Sequence, residues 1–341
     1  FFTDAVIAPA FPSNTARGGV LFPIVLAISQ SGGSRPEDGT SRRMGAYLMF
    51  CGMASLSLSS ALWLTGTSVN PIGVEISRTF GVDASFGKWL LAASVPALTA
   101  ILLLPLALYK FFPPEVKETP EAPAAAREAL RTMGPMSRDE KIVAVAFALM
   151  VTGWILAGAL NLDRTAVAFA GLGALLATSV LTLDDFTREG DTLATFLWLA
   201  VLFALSGQLN EMGFMGYVGE RLAAGLGGVS WPVAYVALVV LYVLMHYLFV
   251  SQSSQVLALF GVFLEVGIRT GVPKEVMAFA LLFASSYFSA ITPQGGSQNV
   301  IFVGAGYNTQ GELYKMGAVT TAFNLLVFLV VGTPWILFVT R

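Results

Sequence analysis

Seven stretches of this chain stay apolar for roughly the distance between the two faces of a lipid bilayer, and nothing else in the sequence limits its fold as much. They are Trp89 to Phe112, Ile142 to Leu162, Thr165 to Leu183, Thr192 to Leu209, Trp231 to Val250, Val276 to Ile291 and Gly317 to Val339. Crossing about 30 Å of hydrocarbon takes ~20 mostly apolar residues in a helix. Strands of a membrane barrel would alternate apolar and polar side chains, and these runs do not. Charged residues make up 12% of the 341, half the ~25% of a water-soluble domain. The expected class is an all-α, multi-pass integral membrane protein with lipid as its first partner.

The formal net charge is −2, which leaves no polybasic patch and no electrostatic case for nucleic acid. Cys51 is the single cysteine, so no disulfide framework or cysteine metal site can form, and it reads as a small apolar residue packed between helices. His246 is the lone histidine. Between Tyr242 and Tyr247 it reads as a packed helix contact, with a proton shuttle as the alternative. An intramembrane enzyme would need His246 and an Asp as acid and base, and the sequence offers no motif that assembles them. The expected answer is not an enzyme.

Five prolines between Pro113 and Arg138 punctuate a stretch rich in Ala, Glu and Arg, which marks a linker at a water interface. Its middle, Ala122 to Met133, can form an amphipathic surface helix. The linker at 113–140 separates residues 1–112 from residues 141–341, and both parts carry one order of signals: apolar limb, polar triplet, apolar limb, charged turn, interrupted helix. The triplets are Ser13-Asn14-Thr15 and Ser251-Gln252-Ser253, 238 positions apart by Asn14 and Gln252; the interruptions begin at Thr65 and Thr292, 227 apart. A duplication with broken helices at matching places predicts an inverted-repeat secondary transporter with two re-entrant hairpins and two interrupted transmembrane helices. The chain opens at Phe1 inside the first hairpin, so equal repeats would put on the order of a hundred residues of repeat one outside it.

Each triplet sits between apolar limbs too short to span twice, and non-helical backbone at membrane depth survives only where protein or a watery cavity satisfies it. Hydroxyls and freed carbonyls at such a tip suit a small cation, while the N–H groups opening the following helix suit a carboxylate. The candidate anion site is therefore Ser13, Asn14, Thr15, Ser251, Gln252 and Ser253, with Thr292 and Pro293 from the second interruption. Ser13, Asn14, Gly66 and Thr67 are the candidate ligands of that cation, which the family resemblance given next would make sodium. Arg17, two residues past the first tip, costs ~2.5 to 3.5 kcal/mol or more at membrane depth. Two readings stand: a fixed positive charge beside the anion, or a structural ion pair with Asp4.

The segments Ala8 to Gly19, His246 to Ser253 and Thr292 to Tyr307 resemble the divalent anion/sodium symporter family, in particular its citrate, tartrate and 2-oxoglutarate/malate translocators. The resemblance runs in order along the whole chain. It implies a homodimer in a bacterial inner membrane or an organellar inner envelope, whose transport domain moves like an elevator. Its cargo would be C4 to C6 di- and tricarboxylates such as succinate, malate, 2-oxoglutarate or citrate, or alternatively sulfate, taken by carboxylate exchange or by sodium symport. The second tip reads Ser-Gln-Ser in place of Ser-Asn-Thr, and the longer Gln252 crowds a cavity sized for Asn. Exchangers in the family tend to carry a basic residue two positions past each tip, which Arg17 satisfies and Gln255 does not.

Overall fold

The computed structural model describes residues 1–119, 122–188, 201, 204, 205, 208, 211–225, 228–249 and 251–341. Among these, all regular structure is helical. The expected span Thr192 to Leu209 lies almost wholly outside the described residues. The chain forms two compact units, one made of Phe1–Ala84, Lys88–Thr119 and Met212–Arg341, the other of Ser85–Gly87 and Pro120–Glu211.

In the smaller unit a helix spans Ala122–Met133 and a longer one Arg138–Leu160. Ser137 and Glu140 start the second as a capping box: Ser137 Oγ accepts from the Glu140 amide at 3.2 Å and Glu140 Oε2 accepts from the Ser137 amide at 2.7 Å, satisfying two donors the helix end would leave bare. Asn161, in the left-handed region at φ 51°, turns the chain, and Asp163 caps the next helix by accepting from the Ala166 amide at 2.8 Å.

Five helices of the described chain are long and apolar enough to cross a membrane: Gly45–Leu62, Phe86–Phe111, Arg138–Ala157, Trp231–Leu248 and Gln310–Val339. Gly45–Leu62 is missing from the expected spans because Ser55, Ser57, Ser59 and Ser60 dilute its apolar character. All four hydroxyls are buried inside the protein, so the helix needs no lipid-facing stripe. Conversely, the expected span Val276 to Ile291 overlaps a helix of only 14 residues, Lys274–Tyr287, whose residues from Val276 onward are buried. Its apolar run answers to protein packing rather than to lipid.

The larger unit contains two copies of one path. A helix leads into a three-residue tight turn, Ala8–Ala10 in the first copy and His246–Leu248 in the second. The chain then opens at Phe11 and Phe249 into extended backbone, and a new helix starts at Asn14 or Gln252. Ser13 and Ser251 cap these helices, accepting from the Ala16 amide at 3.3 Å and the Ser254 amide at 3.1 Å. The caps are why a helix restarts at each triplet. Farther on, Gly45–Leu62 and Lys274–Tyr287 each end in irregular chain before a shorter helix resumes at Val69 or Ser297.

The same hydrogen bonds brace both breaks. Asn70 Nδ2 donates to the carbonyls of Ser60 at 2.8 Å and Trp63 at 3.1 Å. Asn299 Nδ2 donates to those of Ser289 at 2.8 Å and Thr292 at 3.0 Å. All three pairs, Asn70 with Asn299, Ser60 with Ser289 and Trp63 with Thr292, lie 229 positions apart. The spacing of 227 read from Thr65 and Thr292 is thus corrected by two residues, because backbone bracing rather than residue type sets the register.

Candidate anion site

Both tips and both breaks open onto one cavity of about 390 Å³. Its wall consists of Ser13, Asn14 and Thr15; Thr67, Ser68 and Val69; Ser251, Gln252 and Ser253; and Gln294, Gly295, Gly296, Ser297 and Val300. No formal charge occurs among these described residues. Thr15 Oγ1 donates to Ser297 Oγ at 2.5 Å, joining the first tip to the second break. Thr15, Ser68, Ser251 and Ser297 are exposed, so the cavity is reachable from outside.

The first residues of four helices, Asn14, Val69, Gln252 and Ser297, all belong to this wall. A helix start carries unpaired N–H groups and about +0.5 of an elementary charge. Four of them sum to on the order of +2, which matches a dianion without any ionised side chain.

All six tip residues expected at the site are therefore on the wall. Thr292 and Pro293 are not; their place is taken by Gly295, Gly296 and Ser297, as the register of 229 requires. Gly66 lies behind the wall while Thr67 is on it. The sequence reading did not single out Ser68, Val69, Gln294, Gly296, Ser297 or Val300; of these the register of 229 adds only Gly296, from Thr67.

Arg17 is absent from the wall and fully buried, with Nε 2.7 Å from Asp4 Oδ1. Its Nη1 donates to the Gly66 carbonyl at 2.8 Å, and its Nη2 to Asn14 Oδ1 at 2.9 Å, the Leu56 carbonyl at 2.8 Å and Ser60 Oγ at 2.8 Å. Ser59 Oγ donates to the other Asp4 oxygen at 2.7 Å. Of the two readings of Arg17, this geometry matches the ion pair with Asp4. The guanidinium ties the first tip to the first break from behind.

His246 has the matching place in the second copy. It is fully buried and stacks on Phe288 with ring centroids 4.0 Å apart. Its Nε2 lies 2.6 Å from the Gly295 carbonyl, 229 positions on from Gly66. A carbonyl oxygen only accepts, so Nε2 is the donor in this contact. Its Nδ1 lies 2.8 Å from Gln255 Oε1, and Gln255 Nε2 donates to the Tyr242 carbonyl at 2.7 Å. Gln255 is the residue 238 positions after Arg17. A histidine and a glutamine together thus fill the role that one arginine fills in the first copy. Both ring nitrogens are committed to these contacts, which match a packed helix residue rather than an acid or base facing a substrate.

Of the four candidate sodium ligands, the Gly66 carbonyl and Asn14 Oδ1 each accept from Arg17, Ser13 Oγ caps the helix that follows it, and Thr67 lies on the wall.

Residues 1–340 match the family described as the sodium:sulfate symporter transmembrane region. The chain is 39% identical to the chloroplastic dicarboxylate transporter 2.1 of Arabidopsis thaliana, over 98% of this chain and 60% of the relative. It is 37% identical to the chloroplastic dicarboxylate transporter 2 of Spinacia oleracea, over 98% of this chain and 60% of the relative. The chain thus spans about 60% of the length of these relatives.

Proposed function

We propose, from the premise that this chain belongs to the sodium:sulfate symporter family, that it carries C4 to C6 dicarboxylates across a membrane by exchange. As a family member it is an integral, multi-pass membrane transporter and not an enzyme. The observation that carries the substrate reading is the uncharged cavity at which four helix starts converge. Two carboxylates can each accept from N–H groups and hydroxyls of one tip and one break, and the duplicated wall offers such a set twice. The relatives named as dicarboxylate transporters support the same class.

Exchange is favoured over sodium symport by the two glycine carbonyls behind the wall. In each copy the oxygen that could coordinate a cation already accepts from a protein donor, Arg17 on Gly66 and His246 on Gly295. On this reading, protein donors stand where a coupling cation would otherwise coordinate, and a second carboxylate drives the return. The movement that exposes the cavity to each side in turn is the elevator displacement of the tips and breaks as one body, in a homodimer set in a bacterial inner membrane or an organellar inner envelope.

Full-length protein in proteoliposomes tests this directly. Labelled succinate is expected to enter vesicles preloaded with malate at least tenfold faster than empty vesicles, with no response to an inward sodium gradient. Uptake into empty vesicles that follows sodium would refute exchange. Sulfate outcompeting succinate would move the substrate class to inorganic anions.

A further inference from the structure

Gln298 is the second residue of the helix that opens at Ser297 and is fully buried. Neither its amide nitrogen nor its amide oxygen has a hydrogen-bond partner among the described residues. Other buried amides nearby are at least partly engaged: Asn299 braces the break, Gln255 holds His246, Gln252 Nε2 donates to the Ser285 carbonyl at 3.2 Å, and Asn14 Oδ1 accepts from Arg17 while its Nδ2 is unpaired. Buried polar groups are nearly always paired, so an unpaired amide calls for a partner that the described residues do not supply.

The direction in which the amide points identifies that place. A Cβ built on Gly296 would lie 2.6 Å from Gln298 Nε2 and 2.7 Å from Oε1. The carboxamide is therefore folded against the bare α-carbon of Gly296, a residue of the cavity wall. Any side chain at 296 would shield it. With hydrogen alone there, the amide is a polar group directly behind the wall.

The equivalent position in the first copy, 229 residues earlier, is Val69, which lines the cavity with two methyl groups. The wall is thus nearly two-fold in its hydroxyls and helix starts but not in what stands at these two positions. At one end of the cavity Val69 lines the wall; at the other, a carboxamide without a partner among the described residues lies behind Gly296. An amide offers one donor face and one acceptor face side by side. The ligand feature that answers both is a hydroxyl beside a carboxylate: its proton goes to Oε1 and a carboxylate or hydroxyl oxygen accepts from Nε2. A 2-oxo group answers only the donor, and an unsubstituted methylene answers neither.

We propose, building on the dicarboxylate reading above, that Gln298 is a specificity-determining residue that selects 2-hydroxydicarboxylates and seats their hydroxylated end against the second repeat. The order of preference at this cavity is 2-hydroxy, then 2-oxo, then unsubstituted.

The test uses full-length protein in proteoliposomes, with malate and succinate as the paired probes and Gln298→Met and Gln298→Leu as the variants. Methionine keeps the length of the side chain and removes both unpaired atoms, so its melting temperature should not fall. The ratio of transport efficiency for malate over succinate is expected to drop about tenfold in both variants, the worth of one good hydrogen bond pair. A ratio equal to that of the wild type overturns the assignment, and so does an equal loss for both probes, which would make Gln298 structural. If the wild type moves neither probe, the carboxylate reading itself falls and this inference with it.

Discussion

Replacing Arg17 with methionine is expected to abolish transport and to destabilise the protein by roughly 3–5 kcal/mol, the usual cost of removing one partner of a buried ion pair. The cost comes from what remains. Asp4 is only 1% exposed, and without the guanidinium its charge is left with the Ser59 and Ser55 hydroxyls. The Gly66 and Leu56 carbonyls and Asn14 Oδ1 would lose donors at the same moment. Lysine should not rescue the loss, because one ammonium cannot reproduce the planar fork that reaches Asp4 and Gly66 together. The double variant Asp4→Asn with Arg17→Met should recover part of the stability by removing the stranded charge, though not the transport. Thermal melts in detergent and malate counterflow separate the two effects. An Arg17→Met protein that melts like the wild type would show that the ion pair is ornamental.

Gly295→Ala is expected to cut exchange more than tenfold while the protein still folds. A Cβ there would sit 2.5 Å from the Ser289 carbonyl oxygen and 3.2 Å from its carbon. Both are backbone atoms, which cannot swing aside as a flexible side chain does. Overpacking of this kind costs about 1–3 kcal/mol, relieved only by pushing the second break outward. That displacement moves a wall residue and at the same time shifts the carbonyl that accepts from His246. Gly19→Ala is the matched control, since nothing lies within 4 Å of a Cβ at that position. Exchange at wild-type rate in Gly295→Ala would mean that the break is softer than its hydrogen bonds indicate.

The sequence made the tips legible because their physics is local. A capping serine between two apolar limbs specifies a helix start whatever surrounds it, and Ser13 and Ser251 do cap the helices that follow them. The breaks were legible as breaks but not in register: matching Thr65 to Thr292 by residue type missed the pairing fixed by Asn70 and Asn299 across seven to ten residues of backbone. Arg17 was recognisable as a residue with a reason to be there, yet the direction of a long flexible side chain is decided by tertiary partners, and four of its acceptors lie 39 to 49 positions away. Gln298 fell inside the second interruption but nothing in the sequence singled it out from its neighbours, and only its burial without partners sets it apart.

A wall of hydroxyls and helix starts has a kinetic consequence. Had Arg17 or another full cation faced the cavity, a dianion would fall into a deep electrostatic well and leave it slowly. Here the nearest guanidinium is neutralised by Asp4 and turned away. The attraction is spread over many partial charges, each surrendered singly as water re-enters. On the dicarboxylate reading, such a wall predicts turnover governed by the transit of the protein rather than by escape of the anion.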